Sequence, residues 1–470
     1  MLKLLFAVGF TAWTAFGSAV AQIAPARFDR QVVVSVFPRG AADIEFMDFI
    51  SSDRWTCGPG GPNGEADYRI SNDQVPELQR RGIPFRVAIP DVQALLDREQ
   101  AAMKHAARDA GFFGSFPTYA QTGAFIDSLV ANHPTLATRL NLGNSLEGRQ
   151  IFGVRVTGTA PGVGDSGRKP AIVLQSLQHA REWAGLTSNL YTVNWLLENY
   201  QSDTTVRRLL DEYEIYVVPI VNPDGYEITW TWYRYWRKNA RVQTPPGYVV
   251  GVDLNRNWSV GYGLNNGSSA SYNSETYRGP SAFSEPETRV MRDFILSLPK
   301  LAAFVDIHTY AGKVLRPWAY QWQTPPGYFG LMRVGQAMVD SVQSGTGIRY
   351  FVGGPEILYL ASGVAPDWAY GTTGAVSFTI EMQSEYGFSP GPETIVQSGE
   401  ECRLAILAML RSLCRADFNL DNVVDDADFV LFLNAYSALL SNGGDLTGDG
   451  KTDDADFSLF APAYDSLTCP

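Results

Sequence analysis

The plainest change of hydrophobic pattern along the chain lies between Ala171 and Tyr200. Ala171–Leu177 is short, mostly apolar and β-branched, which predicts a buried strand. Behind it, Trp183, Leu186, Leu190, Val193 and Leu197 fall on one face of a helix. The same rhythm runs from Tyr119 to about Cys414, with further predicted strands at Ile151–Thr157, Glu214–Val221, Ala302–Ile307 and Val376–Ile380. Strands alternating with helices predict an α/β domain built on a mixed, mainly parallel sheet with helices on both faces.

Ahead of that domain, residues 22–100 read as a small α+β unit. Arg30–Phe37 alternates as a strand, Ala41–Ser51 has helical spacing, and Glu77–Arg81 leads to a strand at Pro84–Ile89. Asp91–Lys104 reads as a helix capped by its first residue. The turn-rich stretch around Cys57-Gly58-Pro59 interrupts the unit, and the small, polar composition of 101–118 predicts a linker. The expected organisation is thus 1–21, 22–100, 101–118, a large domain at 119–414, and a tail at 415–470.

Composition changes this picture at the two ends. Lys3, an apolar stretch from Leu4 to Phe16 and Ala19-Val20-Ala21 form a secretory signal pattern, with cleavage expected before Gln22. No later run approaches membrane-spanning length, so the mature protein is expected to be secreted, with no transmembrane segment. The four cysteines are too few for a disulfide scaffold, although an oxidising compartment allows Cys414 to pair with Cys469 around the tail. Net charge is −12, and residues 415–470 carry −9 of it: eleven Asp against one Arg and one Lys. Nothing in the chain is basic enough for nucleic acid.

The chemistry concentrates at strand ends, where ligands gather in open α/β sheets. His179 and Glu182 follow one predicted strand, Asn222 a second, His308 a third and Glu381 a fourth. The chain has only four histidines; His105 lies in the expected linker and His133 precedes Pro134 in a turn. His179, Glu182 and His308 together make a His2Glu zinc set, whose vacant fourth position suits a catalytic ion and not a structural one.

Over nearly all of Tyr119–Cys414 the chain resembles the zinc metallocarboxypeptidases of the pancreatic A/B type. The resemblance rests on HAREW (179–183), NPDGY (222–226), RYWRKN (234–239), GVDLNRNW (251–258), SETYRGP (274–280), DIHTY (306–310), YLASGVAPDWAY (359–370) and FTIEMQSEYGF (378–388). It implies one catalytic zinc on His179, Glu182 and His308, with Glu381 as general base and Arg237 as the cation that stabilises the oxyanion. It also implies substrate binding by Asn255 and Arg256, which clamp a free carboxylate, by the phenol of Tyr359, and by Arg181 further upstream. Asp253 matches a carboxylate that orients a zinc histidine. The position that helps set C-terminal preference falls on Pro366, which is neither of the family's usual choices there; with Gly353 and Gly354 leaving room nearby, the expected preference is for apolar or aromatic residues, with Asp367 and Glu356 as the charges that would disturb it. A folded unit ahead of a secreted hydrolase further suggests a propeptide over the cleft, with an attached accessory domain as the alternative.

The tail is a repeat. DNVVDDADFVLFLNAY (421–436) aligns with DGKTDDADFSLFAPAY (449–464) at an offset of 28 residues. Each copy presents oxygen ligands in a tight loop, as calcium requires: Asp417, Asn419, Asp421 and Asp428 in the first, Asp445, Thr447, Asp449 and Asp456 in the second. This resembles the short helical dockerin module with two structural calcium ions, and implies a cohesin-like or cell-surface partner. Asn422 stands where a glycine is usual, and Ala461-Pro462 is expected to shorten the second helix.

The reading is a secreted zinc carboxypeptidase acting on peptides or proteins with a free C-terminus. A zinc peptidase of cell-wall peptides and an inactive secreted binding protein are the alternatives. The intact ligand, base and clamp set speaks against the second.

Overall fold

The computed structural model describes residues 25–51, 53–56, 65–106, 111–159, 169–243, 248–298, 300–413, 416, 418, 424–437, 444, 446 and 451–466. The signal segment, the Cys414–Cys469 pair and most of the expected calcium ligands lie outside these residues.

The leading unit is a four-stranded antiparallel sheet of β1 (Gln31–Val36), β2 (Asp53–Arg54), β3 (Ala66–Ser71) and β4 (Phe85–Ile89), in the order β2-β3-β1-β4. It carries helices α1 (Ala41–Ile50), α2 (Val75–Arg80) and α3 (Val92–Ala106). Strand alternation sorts β1 between two cores. Val32, Val34 and Val36 pack with Met47 and Leu78, while Val33 joins Trp55, Val92, Leu95 and Leu96. The second group is closed by Tyr235 and Phe388 of the large domain. The stretch expected to be a linker is helical as far as Ala106. Beyond it, Phe112, Phe113 and Phe116 pack on the large domain's core, so aromatic burial overrides the polar composition there.

The large domain contains α4 (Tyr119–Asn132), β5 (Ala137–Asn144), β6 (Gln150–Val156), β7 (Ala171–Ser176), α5 (Trp183–Asn199), α6 (Thr204–Glu212), β8 (Glu214–Val218) and α7 (Pro223–Thr231). After a small hairpin, β9 (Val242–Gln243) and β10 (Tyr248–Val249), come α8 (Pro286–Ser297), β11 (Leu301–Thr309), β12 (Lys313–Leu315), α9 (Tyr328–Thr346), β13 (Phe351–Gly353), α10 (Ala365–Thr373), β14 (Val376–Met382) and α11 (Ile395–Ser412). Eight strands form one sheet, β13-β12-β14-β11-β7-β8-β6-β5. Its centre, β14-β11-β7-β8, is parallel. The pairs β12–β14, β8–β6 and β6–β5 are antiparallel, and β12–β13 is parallel, so the sheet is mixed and mainly parallel.

Both faces are covered. Ile172, Leu174, Ile215, Val217, Val305 and Ile307 face α5, α9 and α11, while Val173, Tyr216, Val218 and Phe304 face α8 and α10. A sheet buried on both faces needs unbroken apolar strands, and this is why β7 and β8 read as runs and not as alternation. The edge strand β5 is half-exposed along its length and offers no such run.

In the tail, α12 (Asp426–Ser437) and α13 (Asp454–Ser466) pack through Phe432 and Phe460, whose rings stack at 5.0 Å, with Val424 and Ala463 beside them. Contrary to expectation, α13 runs through Pro462 to Ser466. Burial of Phe460 and Ala463 on either side of the proline holds the last turns in place. Among the described residues no helix is long and apolar enough to cross a membrane.

Candidate active site

The chain leaves β7 through Leu177, which turns with φ 53°, and arrives at His179. Glu182 then stands at the N-cap of α5, so the two side chains are fixed by a strand end and a helix start. Gly185 lets α5 lie close on β11: a Cβ there would sit 2.9 Å from the carbonyl oxygen of Ile307, one residue before His308.

His179, Glu182 and His308 converge, with one ligand atom from each lying within 4.8 Å of the others. All three are buried. His179 Nδ1 is 2.8 Å from Glu182 Oε1, His308 Nδ1 is 2.8 Å from Glu182 Oε2, and the two Nδ1 atoms are 3.0 Å apart. The outward nitrogens are already committed. His179 Nε2 donates to Asp253 Oδ1 at 3.0 Å, and His308 Nε2 donates to Asp306 Oδ2 at 2.8 Å. In its neutral form each imidazole therefore turns a lone pair inward, toward its counterpart and a carboxylate. Two facing lone pairs and an acid describe a cation site, and the donor set suits zinc.

The carboxylates behind the histidines are themselves held. Asp253 accepts from Arg237 Nη2 at 2.8 Å; burial opposes its charge, but Arg237 and His179 keep it well below the usual carboxylate range. Asp306 accepts from Gln175 Nε2 at 3.1 Å and Gln178 Nε2 at 2.5 Å. Burial likewise works against Glu182, yet His179 and His308 hold it well below its ordinary value. The Asp253 contact was expected. Asp306 was missed, although it lies two residues before His308 on β11 and so shares its face.

Glu381 sits beside this centre. On β14 it aligns with His308 of β11 on one side and Lys313 of β12 on the other. Burial pushes its carboxyl up to about 7, with His308, Arg237 and Lys313 pulling it back. A carboxyl that exchanges its proton near neutrality is equipped for general base and acid work.

Two recesses meet at Glu381 and Tyr359, both of which line each of them. The larger, of about 400 Å³, also contains His179, Glu182, Arg237, Tyr310, Lys313 and Phe388. The smaller, of about 40 Å³, contains Asn255, Arg256, Leu315, Arg316, Pro366 and Asp367. Arg256 is oriented by Nε donating to the carbonyl of Gly267 at 3.1 Å and Nη1 donating to that of Asn255 at 2.7 Å. Asn255 Oδ1 accepts from the Ala365 amide at 2.9 Å, and its Nδ2 lies 3.2 Å from His308 Nε2.

Arg181 lies apart from these recesses. It is fully buried, and its Nη1 donates to Asp53 of the leading unit at 3.0 Å. The leading unit also contributes Trp55, Thr56, Glu65, Asp67 and Arg86 to the wall of the larger recess. It is bound by a two-point Arg234–Glu99 pair, both contacts at 3.0 Å, and by Tyr310 Oη donating to Asp67 at 2.6 Å.

Comparison with known proteins agrees with this geometry. The sequence model of the zinc carboxypeptidase family matches residues 122–405. Bovine carboxypeptidase A1 is 34% identical over 380 residues, covering 78% of this chain and 88% of that protein. Mouse carboxypeptidase A2 is 32% identical over 378 residues, with the same coverage. Among solved structures, carboxypeptidase A from Helicoverpa armigera superposes with a TM-score of 0.73 at 27% identity, covering 83% of this chain and 98% of its own. Thrombin-activatable fibrinolysis inhibitor superposes with a TM-score of 0.72 at 25% identity, covering 81% and 98%.

Proposed function

This chain belongs to the zinc carboxypeptidase family, a family of metal-dependent hydrolases, and from that premise we propose that it is a secreted exopeptidase that removes single residues from the C-terminus of peptides. The observation that carries the reading is the convergence of His179, Glu182 and His308 beside Glu381, with the carboxylate-binding Arg256 in the adjoining recess. Zinc held by those three residues would supply Lewis-acid polarisation of the scissile carbonyl and acidify a water.

The chain's own residues do the rest. Arg256, fixed by two backbone carbonyls, directs its guanidinium edge at the terminal carboxylate, and Tyr359 closes over the bound end. Glu381 takes the proton of the attacking water and passes it to the leaving amine. Arg237, anchored on Asp253, points a fixed cation at the oxygen that gains charge. Apolar or aromatic C-terminal residues are the preferred substrates. Leu315, Leu358, Ala361, Val364 and Pro366 line the smaller recess. Apart from the clamp and the base, its cation is engaged, since Arg316 pairs with Glu356 at 2.7 Å. Asp367 accepts the amides of Ala319 and Tyr320, and burial pushes its carboxyl up to about 7.

The leading unit is a propeptide. Its residues roof the cleft, and the Asp53–Arg181 and Glu99–Arg234 pairs hold it there. The tail is a dockerin-like module with two calcium loops. Asp428 and Asp456 support this by repeating one geometry: Asp428 accepts from the Phe418 and Asp425 amides, Asp456 from those of Leu446 and Asp453. Val430, Leu433, Phe457 and Leu459 stand exposed on its helices, a surface suited to a cohesin-like partner.

The test is hydrolysis of a peptide ending in Phe, with its C-terminal amide as control, for wild type and Glu381→Gln. We expect cleavage of the free acid only, its loss on chelation, and a fall in kcat of about 10²- to 10⁴-fold in the variant with zinc still bound. Equal cleavage of the amide, or full activity of the variant, overturns the reading.

A further inference from the structure

Three side chains stand in a row across adjacent strands: His308 on β11, Glu381 on β14 and Lys313 on β12. Residues in register on neighbouring strands project from the same face, so Lys313 reaches the cleft beside the general base. It lines the larger recess with Arg237 and Tyr310, and it is absent from the wall of the smaller one, which holds Arg256. Only 9% of its surface is exposed. Its Nζ makes no hydrogen bond or ion pair with any described residue. Burial works against its ammonium and Glu381 is the charge that acts on it, so its hydrogen-bonding capacity is left for a ligand that brings further negative charge.

The leading unit offers such a charge. Glu65 and Asp67 line the same recess, with Asp67 held by Tyr310 Oη and Glu65 by Arg86. When that unit leaves, its carboxylates leave with it, whereas Arg237 keeps its partner Asp253. We propose that Lys313 is a specificity residue that selects peptides carrying Asp or Glu immediately upstream of the scissile bond. The direction follows from the two recesses. A peptide end clamped at Arg256 passes Glu381 and continues into the recess that contains Lys313, so the side chain on the amino side of the cleaved bond meets the ammonium.

This inference rests on the carboxypeptidase reading. The experiment compares blocked peptides Gly-Glu-Phe, Gly-Gln-Phe and Gly-Lys-Phe with zinc-loaded, activated enzyme, scoring ratios of kcat/KM within each protein so that overall losses cancel. Glu should exceed Gln by about 10- to 100-fold, carried mainly by KM, as a charge-assisted hydrogen bond would give. Lys313→Met should bring the ratio to near one, and Lys313→Arg should retain most of it. A wild-type ratio near one overturns the proposal. So does Lys313→Met lowering the Glu and Gln peptides equally, because a residue acting only on Glu381 or on the fold would do that. Cleavage of Gly-Gln-Phe reports the carboxypeptidase reading by itself; if no peptide is cut, that reading falls and this one with it.

Discussion

Replacing Trp55 by alanine should switch on the uncleaved chain. The indole is almost wholly buried where the leading unit meets the large domain, 5.0 Å from the Tyr235 ring and 5.2 Å from that of Phe388. Its Nε1 donates to Asp53 at 3.0 Å, the same carboxylate that holds Arg181. Truncating a packed aromatic side chain to alanine costs about 3–5 kcal/mol. If half of that falls on the interface, docking weakens by about 2 kcal/mol, a factor of about 30 in the balance of covered and open forms. The assay is hydrolysis of a Phe-terminated peptide by intact protein, with mass spectrometry showing the leading unit still attached. Cleavage of wild type near Lys104 or Arg108 by a trypsin-like protease sets the ceiling. Intact Trp55→Ala should be about 30-fold more active than intact wild type, with the two equal after cleavage. If intact wild type already matches the cleaved enzyme, the unit is an accessory domain and the reasoning fails.

Two further outcomes follow from the buried carboxyl groups. Asp306→Ala removes the acceptor that fixes the His308 tautomer, so zinc affinity should fall about 10- to 100-fold in a competitive chelator titration; unchanged affinity would show that the aspartate only fills space. Glu287 tests the linkage of charge to stability away from the site. Burial, with Glu285 nearby, raises its carboxyl from 4.5 to about 7, so the native chain holds a proton that the unfolded chain has released. Stability from this group is therefore complete below about 4.5 and declines by about 3 kcal/mol as pH rises through about 7. Glu287→Gln should flatten that decline in thermal unfolding between pH 5 and 8, and an unchanged slope would refute it.

What the sequence made legible follows the physics of burial. The central strands announce themselves because both faces are covered, and His179, His308 and Glu381 could be marked because polar residues at the ends of such strands have little structural reason to be there. β5 and β3 escaped notice for the opposite reason. One is half-exposed, and the other alternates over only six residues and carries a buried arginine, Arg69, among its polar positions. Arg181 could be singled out from its neighbours, but its bond to Asp53 spans 128 residues and depends on docking. Lys313 was hidden in a strand of three residues, too short for any periodic signal. Only the register with Glu381 reveals what it faces.

The network behind the metal position explains why a dication belongs there. Glu182, Asp253 and Asp306 are all buried, and among the described residues Arg237 is the cationic side chain that pairs directly with this group, donating to Asp253, with Arg256 adding its charge from further away. With both imidazoles neutral, as metal ligands must be, three carboxylates against one guanidinium leave a deficit of two positive charges in a region shielded from water. Such a deficit would cost several kcal/mol per ion if left open. Protons on the histidines could fill it in the free chain, and Asp306 and Glu182 do outweigh burial to raise His308 well above its ordinary value. A doubly charged ion fills it in one step, at the point where both Nδ1 atoms and the Glu182 carboxylate already face one another. The strand ends therefore do more than carry three ligands. They assemble a charge distribution that a single divalent cation completes.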